Sequence, residues 1–253
     1  MISDEFHEAQ VEEENYFVSM TDMMVGLVFI FIIMLMYYVL QFRDVTEQLT
    51  GADQTRAEIL QQLQKRLKDK NIKVEIPDNE SGVLRLPDSI LFDSGQYKLK
   101  PEGMVAVSIL ANALWDVLPC YSDHLGNNSM PQGRCNPDIK YHIESIYIEG
   151  HTDADHFRSR DNITDNLDLS AMRATETYRQ IVNSNSNIAS LCVMKARCEP
   201  ILSVSGYGDK RIVDDGPSDE QKKKNRRIDI RIIMVKPDGG KAAADLSNRL
   251  QSR

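Results

Sequence analysis

The chain has 253 residues, with 30 Lys and Arg set against 38 Asp and Glu for a formal net charge of −8. That length accommodates one membrane segment and one globular domain of ordinary size, and little more. The acidic balance gives no reason to expect nucleic acid as a partner; the one basic run, Lys222, Lys223, Lys224, Arg226 and Arg227, is short and local.

Residues 1–15 form an acidic tail (Asp4, Glu5, Glu8, Glu12, Glu13, Glu14), and residues 16–42 read as a transmembrane helix. The residues from Met23 to Phe42 carry no charge, and at helical rise they span roughly 30 Å, the thickness of a bilayer's hydrocarbon core. A cleaved signal peptide has a basic start, a shorter apolar core and a small-residue cleavage site; this segment has none of these and reads as an uncleaved anchor. One carboxylate, Asp22, stands near its start with Ser19 and Thr21 beside it. Two readings are open. A helix beginning near Met23 makes Asp22 an interfacial cap. A helix beginning near Tyr16, with Tyr16 and Phe17 in the interfacial aromatic belt, places it roughly 9 Å inside. At that depth a carboxylate needs a partner or a proton, and exchange of that proton is what a relay requires.

Residues 43–72 are predicted to form an amphipathic helical linker. Val45, Leu49, Ala52, Ile59, Leu60, Leu63 and Leu67 recur at helical spacing, with Gly51 weakening the middle. Such a stripe packs either on a second copy or on the domain that follows. Beyond it, strands are expected over 73–76, 83–86, 142–149, 201–205 and 228–235, and a loop over 121–141. Helices are expected over 169–184 and over 101–118, the latter opened by Pro101 and carrying Val105, Ile109, Ala113 and Leu114 on one side. The alternation indicates an α/β sandwich with helices against one sheet. The fold class is a single transmembrane α-helix plus an α/β domain over 73–236, followed by a Gly- and Ala-rich tail, 237–253, read as mobile.

Cys120, Cys135, Cys192 and Cys198 all follow the span. An even number suits disulfides in an oxidising compartment. Of three connectivities, the sequence-local one, Cys120 with Cys135 and Cys192 with Cys198, is expected; unpaired thiols are the alternative, and the spacing does not suit structural zinc. The positive-inside count points weakly the other way, with Arg43 and Arg56 after the span and no Lys or Arg before it.

Three stretches resemble, in order, the signature of OmpA-like peptidoglycan-binding domains: LPDSILFDSGQYKLKPEG (Leu86 to Gly103), IEGHTD with NLDLSAMRA (Ile148 to Asp153, Asn166 to Ala174), and SGYGD with NRRIDIRI (Ser205 to Asp209, Asn225 to Ile232). The resemblance implies a mixed sheet packed on helices, a groove for the stem peptide of the cell wall, and a periplasmic domain. By position in the motifs, Asp153 would meet the amine of a stem amino acid such as diaminopimelate and Arg173 its carboxylate, with Thr152, Asn166 and Leu169 shaping the pocket. A forked guanidinium and a fixed carboxylate suit such a ligand. The spacing from Asp153 to Asn166 is longer than the family's, and the family's Gly after the Asp is missing. The insert, with His156, Arg158, Arg160 and Asp161, is expected to reshape or cover the groove. His151 belongs to the motif and reads as a packing residue.

The order of acidic start, span with an early Asp, amphipathic linker and wall-binding domain resembles the B subunits of rotary, ion-driven stators of the MotB type. The span wording FVSMTDMMVGLVFIFIIMLM resembles more closely still the B components of Zorya anti-phage defence systems. A Trp near the start of the span and a basic N-terminal tail, usual in flagellar stators, are absent. The resemblance implies a homodimer inside a ring of five multi-span ZorA-like A subunits, proton passage at Asp22, rotation of the ring and anchoring to peptidoglycan. It also implies a single-pass inner-membrane protein with a cytoplasmic N-terminus, and a candidate gate over 41–71. No nucleophile triad, phosphate-cradling loop or metal motif is legible, so neither an enzyme nor a cofactor or metal is expected. Glu149, His151 and Asp153 share a strand face and mimic a hydrolytic site, but the family motif accounts for them.

Overall fold

The computed structural model describes residues 2–78, 81–124, 135, 139–155, 157 and 163–235, without the side chains of residues 2–19, 44, 45, 48, 49 and 124. The Ser19 side chain, the insert residues His156, Arg158, Arg160 and Asp161, and the tail over 237–253 lie outside the described residues. Two compact units are present, one ending at Leu49 and the other beginning at Thr50.

In the first unit, helix α1 (Ile2–Asp69) runs through Asp22 without interruption. No Gly or Pro precedes Gly26 to break it, so the reading of Asp22 as the cap of a helix starting near Met23 is overturned. The stretch Met20–Arg43 has a mean hydropathy of 2.6 and buries none of its residues. Its large apolar side chains are exposed on every side of the helix, from Ile32 at 48% to Met23 at 76%. A helix apolar all round belongs in lipid or in a protein core.

The second unit begins inside α1, where Ala52, Ile59, Leu60, Leu63 and Leu67 are buried in the hydrophobic core. Of the two packings open to this stripe, it takes the following domain. Gly51 lies where a Cβ would fall 2.2 Å from the Tyr141 hydroxyl, so its lack of a side chain makes room for that ring.

The main sheet comprises β1 (Val83–Pro87), β3 (Ile143–His151), β6 (Leu202–Gly206) and β7 (Arg227–Met234), in the order β1-β7-β3-β6. Strand β7 is antiparallel to β1 and β3, and β3 is parallel to β6. This mixed sheet packs against helix α4 (Asn166–Ser184), and helix α3 (Pro101–Val117) packs on α4 and adds its buried side chains to the same core. The sheet's inner face supplies Leu84, Leu86, Ile146, Ile148, Ile228, Ile230 and Ile232 to the core, as the period-two alternation of strands requires. Pro101 sits in the first turn of α3 as expected, and of the predicted side Ala113 and Leu114 are buried and Ile109 packs partly against the core, whereas Val105 is 60% exposed. Burial extends further round the helix than predicted, to Ala106, Val107, Leu110, Ala111 and Val117. At the sheet's end, Gly150 and Gly206 admit α4: a Cβ on either would clash with the backbone of Ser170 or Ala171.

The strand expected at 73–76 shrinks to one bridge, Glu75 with Arg85. Sequence periodicity missed α2 (Asp88–Leu91), α5 (Asp219–Asn225, opened by a Ser218–Gln221 capping box) and a small antiparallel sheet. That sheet orders β2 (Asp123–His124), β4 (Leu191–Met194) and β5 (Cys198–Pro200) as β2-β4-β5. The expected disulfides are both present: Cys192–Cys198 links β4 to β5, and Cys120–Cys135 ties the segment after α3.

Candidate functional site

The outer face of the main sheet is charged. Arg85 and Glu149 flank Asp229 across β1, β7 and β3, and His151 stands opposite Arg227. Arg85 and Arg227 bind Asp229 at 3.1 and 3.0 Å, and Arg231 holds Glu149 through two hydrogen bonds of 2.8 Å. Burial alone would raise the Glu149 carboxyl, but His151 and Arg231 outweigh it and bring it down to about 2. His151 Nε2 lies 3.9 Å from Glu149 and 3.6 Å from Asp229, and its ring stacks on Tyr207 at 5.3 Å. Burial holds it below the usual imidazole value, which favours the neutral ring. Glu149, His151 and Asp229 bring donor atoms within 4.8 Å of one another, but four guanidiniums, those of Arg85, Arg211, Arg227 and Arg231, already serve the two carboxylates and oppose a divalent ion. The trio is a paired charge layer, and Asp153 is not part of it.

Arg173 lies in α4, within the helix expected there, whereas Asp153 lies two residues beyond the end of β3 and not on the strand face expected for it. Each already has a partner within the chain. Arg173 is 1% exposed. Its Nη1 pairs with Asp88 at 3.0 Å, Nε donates to the Gln96 carbonyl at 2.8 Å, Nη2 donates to the Asp93 carbonyl at 3.4 Å, and the guanidinium lies 5.1 Å from the Phe92 ring centroid. Burial pushes the Asp88 carboxyl up to about 6, against the pull of Arg173. Asp153 accepts from Arg226 Nη1, whose Nη2 also lies 3.5 Å from Asp219. Thus Asp88, Arg173, Asp153 and Arg226 form one electrostatically coupled cluster.

Asn166 donates to the Asp155 carbonyl at 2.8 Å and the Asp153 carbonyl at 3.4 Å, pinning the turn after β3. Asp165 caps α4 by accepting from the Asp168 amide. Thr152 and Leu169 are buried, and the Thr152 hydroxyl has no hydrogen-bond partner among the described residues. Sequence reasoning missed Asp88, Arg226 and Asp219 as members. Arg226 and Asp88 had a signal, their places in the NRRI and LPDSILFDSG stretches; Asp219 had none.

No family model matches this chain. It is 25% identical over 188 residues to Motility protein B of Bacillus subtilis (strain 168), an alignment covering 72% of this chain and 58% of that protein, so it spans less than two thirds of that relative. Among solved structures it is similar to a putative MotB-like protein from Desulfovibrio vulgaris, with a TM-score of 0.49, 19% identity, and 78% of this chain and 99% of the other covered. It is also similar to the periplasmic domain of Helicobacter pylori MotB, with a TM-score of 0.45, 20% identity and coverages of 66% and 85%. The cell wall anchor of the T6SS from Pseudomonas aeruginosa gives 0.46, 17%, 72% and 99%. The fold class is an apolar N-terminal helix plus an α/β domain with a mixed sheet.

Proposed function

We propose that this chain is the B subunit of a proton-driven, peptidoglycan-anchored membrane motor of the Zorya anti-phage type, catalysing no covalent reaction. The observation that carries the reading is the stretch Met20–Arg43: wholly unburied, strongly apolar, and holding a single carboxylate, Asp22, within an unbroken helix. An intramembrane carboxylate is costly and marks ion pathways. Asp22 carries the proton, with Ser19 and Thr21 beside it. The transmembrane potential contributes about 2.3 kcal/mol per charge per 100 mV, and a pH gradient about 1.4 kcal/mol per unit.

Five multi-span ZorA-like A subunits surround two copies of the chain in this reading. The N-terminus faces the cytoplasm, and the disulfide-bearing domain stands in the periplasm and grips the wall at Asp153, with Arg173, Thr152, Asn166 and Leu169 building the site. Support comes from the two disulfides, the motif order and the similarity to Motility protein B. That similarity also favours a second reading, a flagellar-type stator. Expressing the chain with its A subunits and challenging the cells with phage tests the proposal: Asp22→Asn abolishes protection while leaving the protein in the membrane. Unchanged protection leaves only a passive membrane-to-wall anchor, and rescue of swimming in a stator-deficient strain would favour the flagellar reading.

A further inference from the structure

The second unit holds a cleft of about 520 Å³, none of whose lining residues belongs to the Asp153–Arg173 cluster or to the charge layer on the sheet. One wall is α1, whose Thr55, Glu58, Gln62 and Arg66 follow at three- and four-residue steps and so share a face beside the buried stripe. Facing it are Asp116 and Val117 at the end of α3 and Tyr121 in the turn that follows, and residues 139–141 complete the lining. Cys120 and Cys135 both open onto the cleft, so their disulfide joins two parts of its lining. Across it, Arg66 pairs with Asp116 at 2.9 Å and Gln62 donates to the Tyr121 hydroxyl at 3.5 Å. The shape is thus set before any ligand arrives, which lowers the ordering cost of binding.

The chemistry of the lining narrows the ligand. Glu58 and Asp116 are matched by Arg66 and Lys140, so the cleft offers no net charge to an ion. Its volume falls in the range of small-molecule sites. Carboxylates that accept, an amide that does both and cations that donate stand next to the apolar bodies of Tyr121, Tyr141, Val117 and Ile139. A hydrocarbon would strip those polar groups of water and return no hydrogen bond. A neutral molecule with hydroxyls round its rim and C–H bonds on a face meets both kinds of surface. We propose that the cleft is a saccharide subsite for a neutral mono- or disaccharide unit, its hydroxyls shared between Glu58 and Gln62 on α1 and Asp116 opposite, and its C–H face against the tyrosines. A free oligosaccharide and the glycan of the wall present the same chemistry. The subsite stands on the cleft alone and does not depend on the motor reading.

Saturation-transfer NMR on the full chain, in a detergent without a sugar headgroup, tests this with two probes: N,N′-diacetylchitobiose, and wall glycan strands freed of their stem peptides. Saturation reaches the ring C–H protons of at least one probe. Binding of both makes the sugar ring itself the ligand, whatever its source, and binding of the strands alone makes the wall the source. The double variant Glu58→Ala with Gln62→Ala changes two exposed positions of α1, keeps the thermal transition of the domain, and lowers affinity for the bound probe about tenfold, the worth of two hydrogen bonds. Asp153→Ala leaves saccharide binding unchanged, which separates this subsite from the wall grip proposed at the cluster. No transfer to either probe overturns the proposal, as does unchanged affinity in the double variant or loss of saccharide binding in Asp153→Ala.

Discussion

Helix α1 has apolar residues in both of its described stretches, but they meet different surroundings. Between Met20 and Arg43 they point in all directions and none is buried; between Ala52 and Leu67 they form one stripe, and Ile59, Leu60, Leu63 and Leu67 are completely buried. Apolar content is therefore not what distinguishes the two. The distribution around the helix is: a belt calls for a surrounding apolar solvent, a stripe for a single packing partner. One consequence concerns gating. The stripe from Ala52 to Leu67 is part of the domain's core, so a plug that detaches from the pore would have to unpack that core or be confined to the residues before it.

The largest expected effect separates the two stretches outright. Leu63→Asp places an unpaired carboxylate in the core, where burial of a lone charge costs many kcal/mol, and the domain loses its cooperative thermal transition. Leu35→Ala in the apolar belt leaves that transition unchanged. Circular dichroism melts of both variants check the contrast, and equal melts would dissolve it.

Next in size are the disulfides, which only the domain carries. Mutating Cys120 and Cys135 to Ser releases a 15-residue loop and costs about 3 kcal/mol by loop entropy; opening the six-residue Cys192–Cys198 loop costs roughly 2 kcal/mol. Denaturant titrations measure both. Thiol labelling of protein from intact cells finds no free cysteine if the domain is periplasmic.

The last effect, spread over a pH window, compares two carboxylates. No Lys or Arg occurs from Met20 to Phe42 to accompany Asp22, whereas Asp88 has Arg173. Asp88 nevertheless titrates at about 6 in the folded chain, against 3.8 when unperturbed. Its folded form holds the proton more tightly, so its contribution is full below the unfolded value and is lost as pH rises through about 6, a change on the order of 3 kcal/mol. Glu149, brought from 4.5 to about 2, acts oppositely: it stabilises above 4.5 and that contribution disappears as pH falls towards 2. Asp88→Asn flattens the stability profile between pH 4 and 7 while keeping the acid limb, as denaturant midpoints across that range will register.

These contrasts mark what could be read from the sequence. The belt, the stripe and strands β1, β3, β6 and β7 follow from periodicity and charge, and the disulfides realise one of the three connectivities that the four cysteines left open. Strands β4 and β5 do not, because short runs such as Leu191–Met194 have no turn signal of their own and are defined by pairing and by Cys192–Cys198. At the site, Asp153 and Arg173 were legible through the motifs, and Arg173 sits on the helix expected for it. Their pairing was not: that Asp88 in α2 meets Arg173 in α4, and that Arg226 just after α5 meets Asp153 just after β3, is long-range contact that no local pattern encodes.

The central claim, that Asp22 carries protons through the membrane, is tested most directly by proton flux. With the A subunits coexpressed and a potential applied, proteoliposomes or cells carrying the wild-type chain acidify internally, and the Asp22→Asn chain, inserted in equal amount, conducts no protons. Equal flux through both would contradict the account.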